Sequence, residues 1–199
     1  MRRNMRSFIT AVSFCAALAM PFGSFAQEQD ATHHHYKLVD TGTLGGPNSN
    51  FSGPGLPILN NRGTFATFTN TSTPNPNAGC FLAFNSPDCF VEHAAVWHNG
   101  TLIDLGVLPG GANSQTTSLS PSGLIAGFSE NGLIDPLIGQ QEIVGVLFAG
   151  RKTINLGTFP GGTESLATNV NSRGQVMTRF RFMMARHYHH FGTARTSPK

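Results

Sequence analysis

Beyond residue 35 the apolar positions fall in short runs, mostly β-branched or aromatic, cut every ten residues or so (roughly) by glycine, proline, serine or asparagine. In the middle of the chain such runs occupy 102–105, 115–119, 124–128 and 143–148. They predict four short strands joined by a diglycine, a Ser-Pro-Ser-Gly segment and a polar loop, and no stretch has the length and periodicity of a helix. Asn99-Gly100 and Gly150-Arg151 each stand between two such runs. These are hairpin turns, because a two-residue loop between twisted strands needs positive φ, which glycine and asparagine accept.

The runs recur. Val39-Asp40-Thr41-Gly42-Thr43-Leu44-Gly45-Gly46 returns as Ile103-Asp104-Leu105-Gly106-Val107-Leu108-Pro109-Gly110-Gly111, and again as Ile154-Asn155-Leu156-Gly157-Thr158-Phe159-Pro160-Gly161-Gly162. A second element follows each copy: Asn60-Asn61-Arg62-Gly63, Ser120-Pro121-Ser122-Gly123 and Asn171-Ser172-Arg173-Gly174. Trp97 and Phe148 are equivalent at a spacing of 51, and as repeated large apolar residues they are expected to fill the space between stacked sheets. The residues that carry the repeat, and are expected to be structural, are Asp40, Gly42, Gly46, Trp97, Asp104, Gly106, Gly111, Phe148, Asn155, Gly157 and Gly162. Asn155 replaces a carboxylate yet keeps its acceptor oxygen, which suits a turn cap better than a catalytic base. Four strands in about 50 residues describe one blade of a propeller. The fold expected is all-β, with tandem four-stranded repeat sheets, propeller-like: an incomplete propeller or an open β-stack.

Tyr36 to Gly46, the segment His93-Ala94-Ala95-Val96-Trp97 with its Asn99-Gly100 turn, and the three Gly-Gly elements resemble the extracellular HAF-type repeat family over residues 36–178. The resemblance implies secretion and a propeller-like β fold, and implies no established reaction. Val144 stands where the first copy has His93, so that histidine is not common to all units.

The ends change the electrostatic picture. Met1 to Arg6 carries three arginines and no acid, and an apolar run then leads to Ser24-Phe25-Ala26. This is the order of a secretory signal peptide, residues 1–26, cut after Ala26. The expected destination is extracellular or periplasmic, without stable membrane insertion after cleavage. Its removal leaves 10 basic against 10 acidic residues. Residues 27–172 hold 4 bases and 10 acids, a formal charge of −6, which is unlike a phosphate-binding surface and excludes nucleic acid as the expected partner. The last 27 residues hold 6 bases and no acid. The domain plan is therefore a β-repeat domain over 36–178, with about two and a half units, and an aberrant basic tail at 179–199 that suggests a truncated or shifted reading frame.

The first unit is longer than the second because of an insertion at 70–90 containing Cys80 and Cys89. In an oxidising compartment these are expected to pair as a disulfide that ties off the loop, since two thiolates alone make a poor zinc site. Loops that interrupt a repeat are the natural places for binding.

Candidate chemistry is sparse. His33, His34 and His35, the pair His93 and His98, and His187, His189 and His190 offer at most two imidazoles on any strand face, and His93 and His98 point to opposite faces. No metal or other cofactor is expected, and no catalytic residue is assigned. The function expected is that of a secreted binding or surface-structural module for an extracellular or cell-surface ligand, with edge strands open to self-association. A secreted hydrolase or lyase on the same scaffold, or a fragment without function, are the alternatives.

Overall fold

A computed structural model describes residues 36–53, 55–77, 88–136, 139–183 and 189–196, with the backbone path alone for 181–183 and 189–196. The described strands lie in the second of two units, Val39–Lys199. The chain is all-β, and every strand pairing between named strands is antiparallel.

The first sheet runs β1 (Gly45–Asn50), β2 (Phe65–Pro74), β3 (Phe90–His98), β4 (Thr101–Gly106) in simple meander order. The second repeats it with β5 (Ser114–Leu119), β6 (Ile125–Ile134), β7 (Gln141–Ala149) and β8 (Lys152–Asn155). The third, ordered β11-β10-β9, contains β9 (Glu164–Val170), β10 (Val176–Met183) and β11 (His189–Thr196). One correction follows. The expected four-strand grouping began at 102–105, but that strand is β4 and closes the first sheet, paired with β3. The repeat period is visible in sequence; its phase is set by ladder hydrogen bonds, and the Asn99-Gly100 hairpin binds β4 backwards while the diglycine crossing leaves no ladder forwards. In the third sheet β10 pairs with β9 through Arg181 and with β11 through Met183.

The turns repeat atom for atom. The side-chain oxygens of Asp40, Asp104 and Asn155 accept hydrogen bonds from the N–H of Gly42 at 2.9 Å, Gly106 at 2.7 Å and Gly157 at 2.7 Å. Asn60 and Asn171 each accept two N–H groups across the second turn, and Ser120 Oγ accepts from Leu124 N. The Asn99-Gly100 hairpin has positive φ at both residues, 49° and 83°. In the first two diglycines the second residue needs to be glycine for space. A Cβ on Gly46 would strike Asn70 and Thr71, and one on Gly111 would strike the backbone of Glu130.

Adjacent sheets pack face to face. Ala66, Ala94, Val96 and Leu105 of the first sheet meet Leu119, Ile125, Val144, Val146 and Phe148 of the second. On its other face the second sheet offers Ala126, Leu147 and Ile154 to Ala167, Val170 and Val176 of the third. Serine hydroxyls bolt the sheets together at equivalent points. Ser114 Oγ accepts from Ala94 N at 3.0 Å and donates to Gly106 O at 2.6 Å. Ser165 Oγ does the same with Gly145 N at 2.8 Å and Gly157 O at 2.6 Å.

β5 is wholly buried although it reads Ser-Gln-Thr-Thr-Ser-Leu. Thr116 Oγ1 donates to Thr67 O of the first sheet, and Thr117 Oγ1 to Ala167 O of the third. A register shift between Thr116 and Ser118 lets Ser118 follow Thr117 and accept from Val170 N. A polar strand can be buried here because each hydroxyl finds a neighbouring sheet's backbone.

Candidate functional site

Three places bring polar groups together. The first is a pair on the first sheet. Asp104 lies opposite Ala95, on the same face as His93 two residues along β3. His93 Nδ1 is 2.9 Å from Asp104 Oδ2 and 3.1 Å from Oδ1. Partial burial pushes the Asp104 carboxyl up, but hydrogen bonds from His93 and Gly106 and the charge of His93 outweigh it, holding the group below its ordinary value. In the second sheet the same positions carry Val144 and Asn155, so the histidine and the carboxylate are lost together while the turn cap is kept. Asp104 thus has a second role that Asn155 lacks. His98 lies elsewhere, with Nδ1 2.9 Å from Thr64 Oγ1.

The second place is a buried polar seam between the first two sheets, at the foot of the insertion. Glu130 is 2% exposed. Its Oε2 accepts from Ala112 N at 2.9 Å and Asn113 N at 3.0 Å, and its Oε1 from Asn113 Nδ2 at 3.0 Å and Asn77 Nδ2 at 2.7 Å. Asn77 Oδ1 accepts in turn from Gln141 Nε2 at 3.2 Å, and Asn113 Oδ1 from Glu92 N at 2.9 Å. Gln115 Nε2 donates to the Glu92 carboxyl, but burial dominates there and pushes that carboxyl up to about 7.

The third is an open recess of about 390 Å³ on the outer face of the first sheet, lined by Val39, Thr41, Ser49, Asn50, Phe51, Phe65 and Thr67. Phe51 and Phe65 meet edge to face there, with ring centres 6.3 Å apart.

The repeat residues themselves do not converge. Asp40 with Gly42, Asp104 with Gly106, and Asn155 with Gly157 form three separate turns, and Gly162 N donates to Phe159 O in its own. Phe148 is 1% exposed inside the core, whereas the equivalent Trp97 is half-buried, because no preceding sheet covers its face among the described residues. Cys80, His33, His34, His35 and His187 lie outside the described residues, so the Cys80–Cys89 pairing does too. Among the described residues no three His, Cys, Asp or Glu side chains are placed to hold a metal ion, and no helix is long and apolar enough to cross a membrane.

Sequence reasoning did not single out Glu92, Asn113, Gln115 or Glu130. Their only signal is a carboxylate set within an apolar strand, as in Phe90-Val91-Glu92 and Ala126-Gly127-Phe128-Ser129-Glu130, in a chain with 10 acids. Compared with known proteins, the chain matches no family model, no curated protein and no solved structure.

Proposed function

We propose that the chain is an exported β-repeat protein of the HAF type, with its sheets set as successive blades of a propeller-like array. In this reading it acts as a binding or surface-structural module through the insertion at 70–90. The observation that carries it is the clamp on that insertion: Asn77, at its foot, is held by Glu130 and Gln141 of the second sheet. A buried carboxylate with four donors is an expensive device for an idle excursion, since an unpaired buried charge is costly and a fully bonded one holds a single geometry. Asn75 N also donates to Cys89 O at 2.7 Å, which brings the two ends of the loop together. A Cys80–Cys89 disulfide would close the same loop covalently. The repeat positions serve the scaffold, and the loop is what departs from the repeat.

The test is retention of purified protein on isolated envelope and extracellular polysaccharide of the producing cell. Replacing residues 76–88 by a short Gly-Ser turn should abolish retention and leave the emission of Trp97 unchanged. Equal retention by the loopless variant would remove the insertion from the function, and no retention of the parent protein would sink the binding reading.

The His93–Asp104 pair favours a second reading, a secreted hydrolase or lyase in which Asp104 orients the imidazole as a base. Turnover of ester or glycoside substrates that His93→Ala abolishes would support it. Turnover that survives His93→Ala, or none at all, would exclude it.

A further inference from the structure

Both ends of the stack are faces that the molecule buries elsewhere. On the second sheet, the face carrying Ile125, Val146 and Phe148 is covered by the first sheet. The equivalent face of the first sheet carries Phe65, Ala95 and Trp97; Ala95 is buried, but Phe65 and Trp97 are only half-buried. At the other end, Thr117 and Ala126 of the second sheet are covered by the third. Their equivalents 51 residues on, Thr168 and Met177, lie on the outer face of the third sheet, where Met177 is 45% exposed and Thr168 Oγ1 turns back to bond Met177 O of its own sheet. The two end faces are therefore related to each other as the two sides of an interface already present twice in the chain.

The strand inventory agrees. β4 and β8, the fourth strands of the first two sheets, each carry the Asp-x-Gly or Asn-x-Gly turn and lead directly into the first strand of the next sheet. By the same alignment residues 37–40 have the sequence and position of a fourth strand ahead of β1, yet they belong to no strand ladder in the described residues. The third sheet, described with three strands, ends at β11. Ser49 is the counterpart of Ser114 and Ser165, the hydroxyls that bolt each sheet to its predecessor, but its Oγ lies 3.2 Å from Thr67 Oγ1 within its own sheet.

We propose that two copies of this chain join head to tail, residues 37–40 of each adding beside β11 of the other and the outer face of its third sheet covering Phe65 and Trp97. The three sheets of the described residues are too few to close a ring by themselves, whereas two copies supply six, within the range of roughly four to eight at which radial arrays of four-stranded sheets close. Two-fold closure uses both end faces and leaves neither edge open. The proposal depends on neither export nor the insertion.

Light scattering on the purified protein should give twice the chain mass. Leu38→Pro/Val39→Pro removes the ladder N–H whichever edge faces β11, since neighbouring residues point theirs to opposite sides. That variant should run as a monomer with an unchanged far-ultraviolet spectrum, and the emission of Trp97, the single tryptophan, should shift to the red. Met177→Asp, at the other end, should do the same and carries the test if the proline variant does not fold. A monomeric parent protein, or a dimer that survives both variants, overturns the proposal. A larger open assembly, dissolved by either variant, overturns the closed ring.

Discussion

Glu92 and Asp104 both belong to the first sheet, Glu92 bonded to Gln115 of the second sheet and Asp104 to His93, and they titrate in opposite senses, which gives the protein a pH signature. Glu92 is raised from 4.5 to about 7, so between those values the folded state binds more protons than the unfolded one, and stability falls as pH rises through that window. The full effect is at most about 3 kcal/mol by the linkage relation. Asp104 is lowered from 3.8, so its contribution is present above that value and is lost as pH falls through the depressed one. Stability should therefore peak between the ordinary values of the two groups, near pH 4 to 4.5, as far as these two groups decide it. Glu92→Gln keeps an acceptor for Gln115 and should flatten the loss between pH 4.5 and 7 in urea titrations. A parallel pH curve for that variant would mean Glu92 is not the titrating group. Ser165→Ala leaves Gly145 N and Gly157 O without their hydroxyl in the interior, and about 1 to 3 kcal/mol of destabilisation is expected from denaturant midpoints. Serine and glutamate at these positions look unremarkable in the sequence, because their partners, Gly145 N and Gly157 O for Ser165 and the Gln115 side chain for Glu92, come within reach only when the chain folds.

At the scale of the element, the hairpins and turns were legible. Asn99-Gly100 and the Asp-x-Gly and Asn-x-x-Gly segments encode their geometry in adjacent residues, through positive φ and a side-chain oxygen within reach of the next N–H. β5 was legible as a strand but not as the most buried one, since its polar composition makes sense only with Thr67 and Ala167 alongside. Amide exchange should be slowest in β5 and fast in β1 and β4, whose residues are largely exposed. Comparable exchange in β1 and β5 would mean the stack opens as readily at its centre as at its end. The insertion yields a further expectation. Glu130→Ala removes the carboxylate that holds Asn77, Asn113 and Ala112, so limited proteolysis should cut within 76–88 before the sheets unfold. If Cys80 and Cys89 are bridged, the unfolded protein lacking the signal shows no free thiol. Cys80→Ser/Cys89→Ser should then cost about 2 to 3 kcal/mol, the loop-entropy value for a ring of this size.

For the whole molecule, the spacing of 51 residues and the diglycines determined by themselves that the chain is a tandem array of small antiparallel sheets, because each unit's turns and apolar alternation are local properties. Three things were left to the tertiary structure. The phase of the sheets, with β4 paired backwards to β3, depends on which edge a strand can bond. The His93–Asp104 pair depends on β4 lying beside β3 with Asp104 opposite Ala95, and the seam around Glu130 on two sheets meeting. The contrast between a buried Phe148 and a half-buried Trp97, identical in pattern, depends on whether another sheet lies on top. Periodicity specifies what each strand is. Burial, charge pairing and the open ends are properties of neighbours, which exist only once the sheets are stacked.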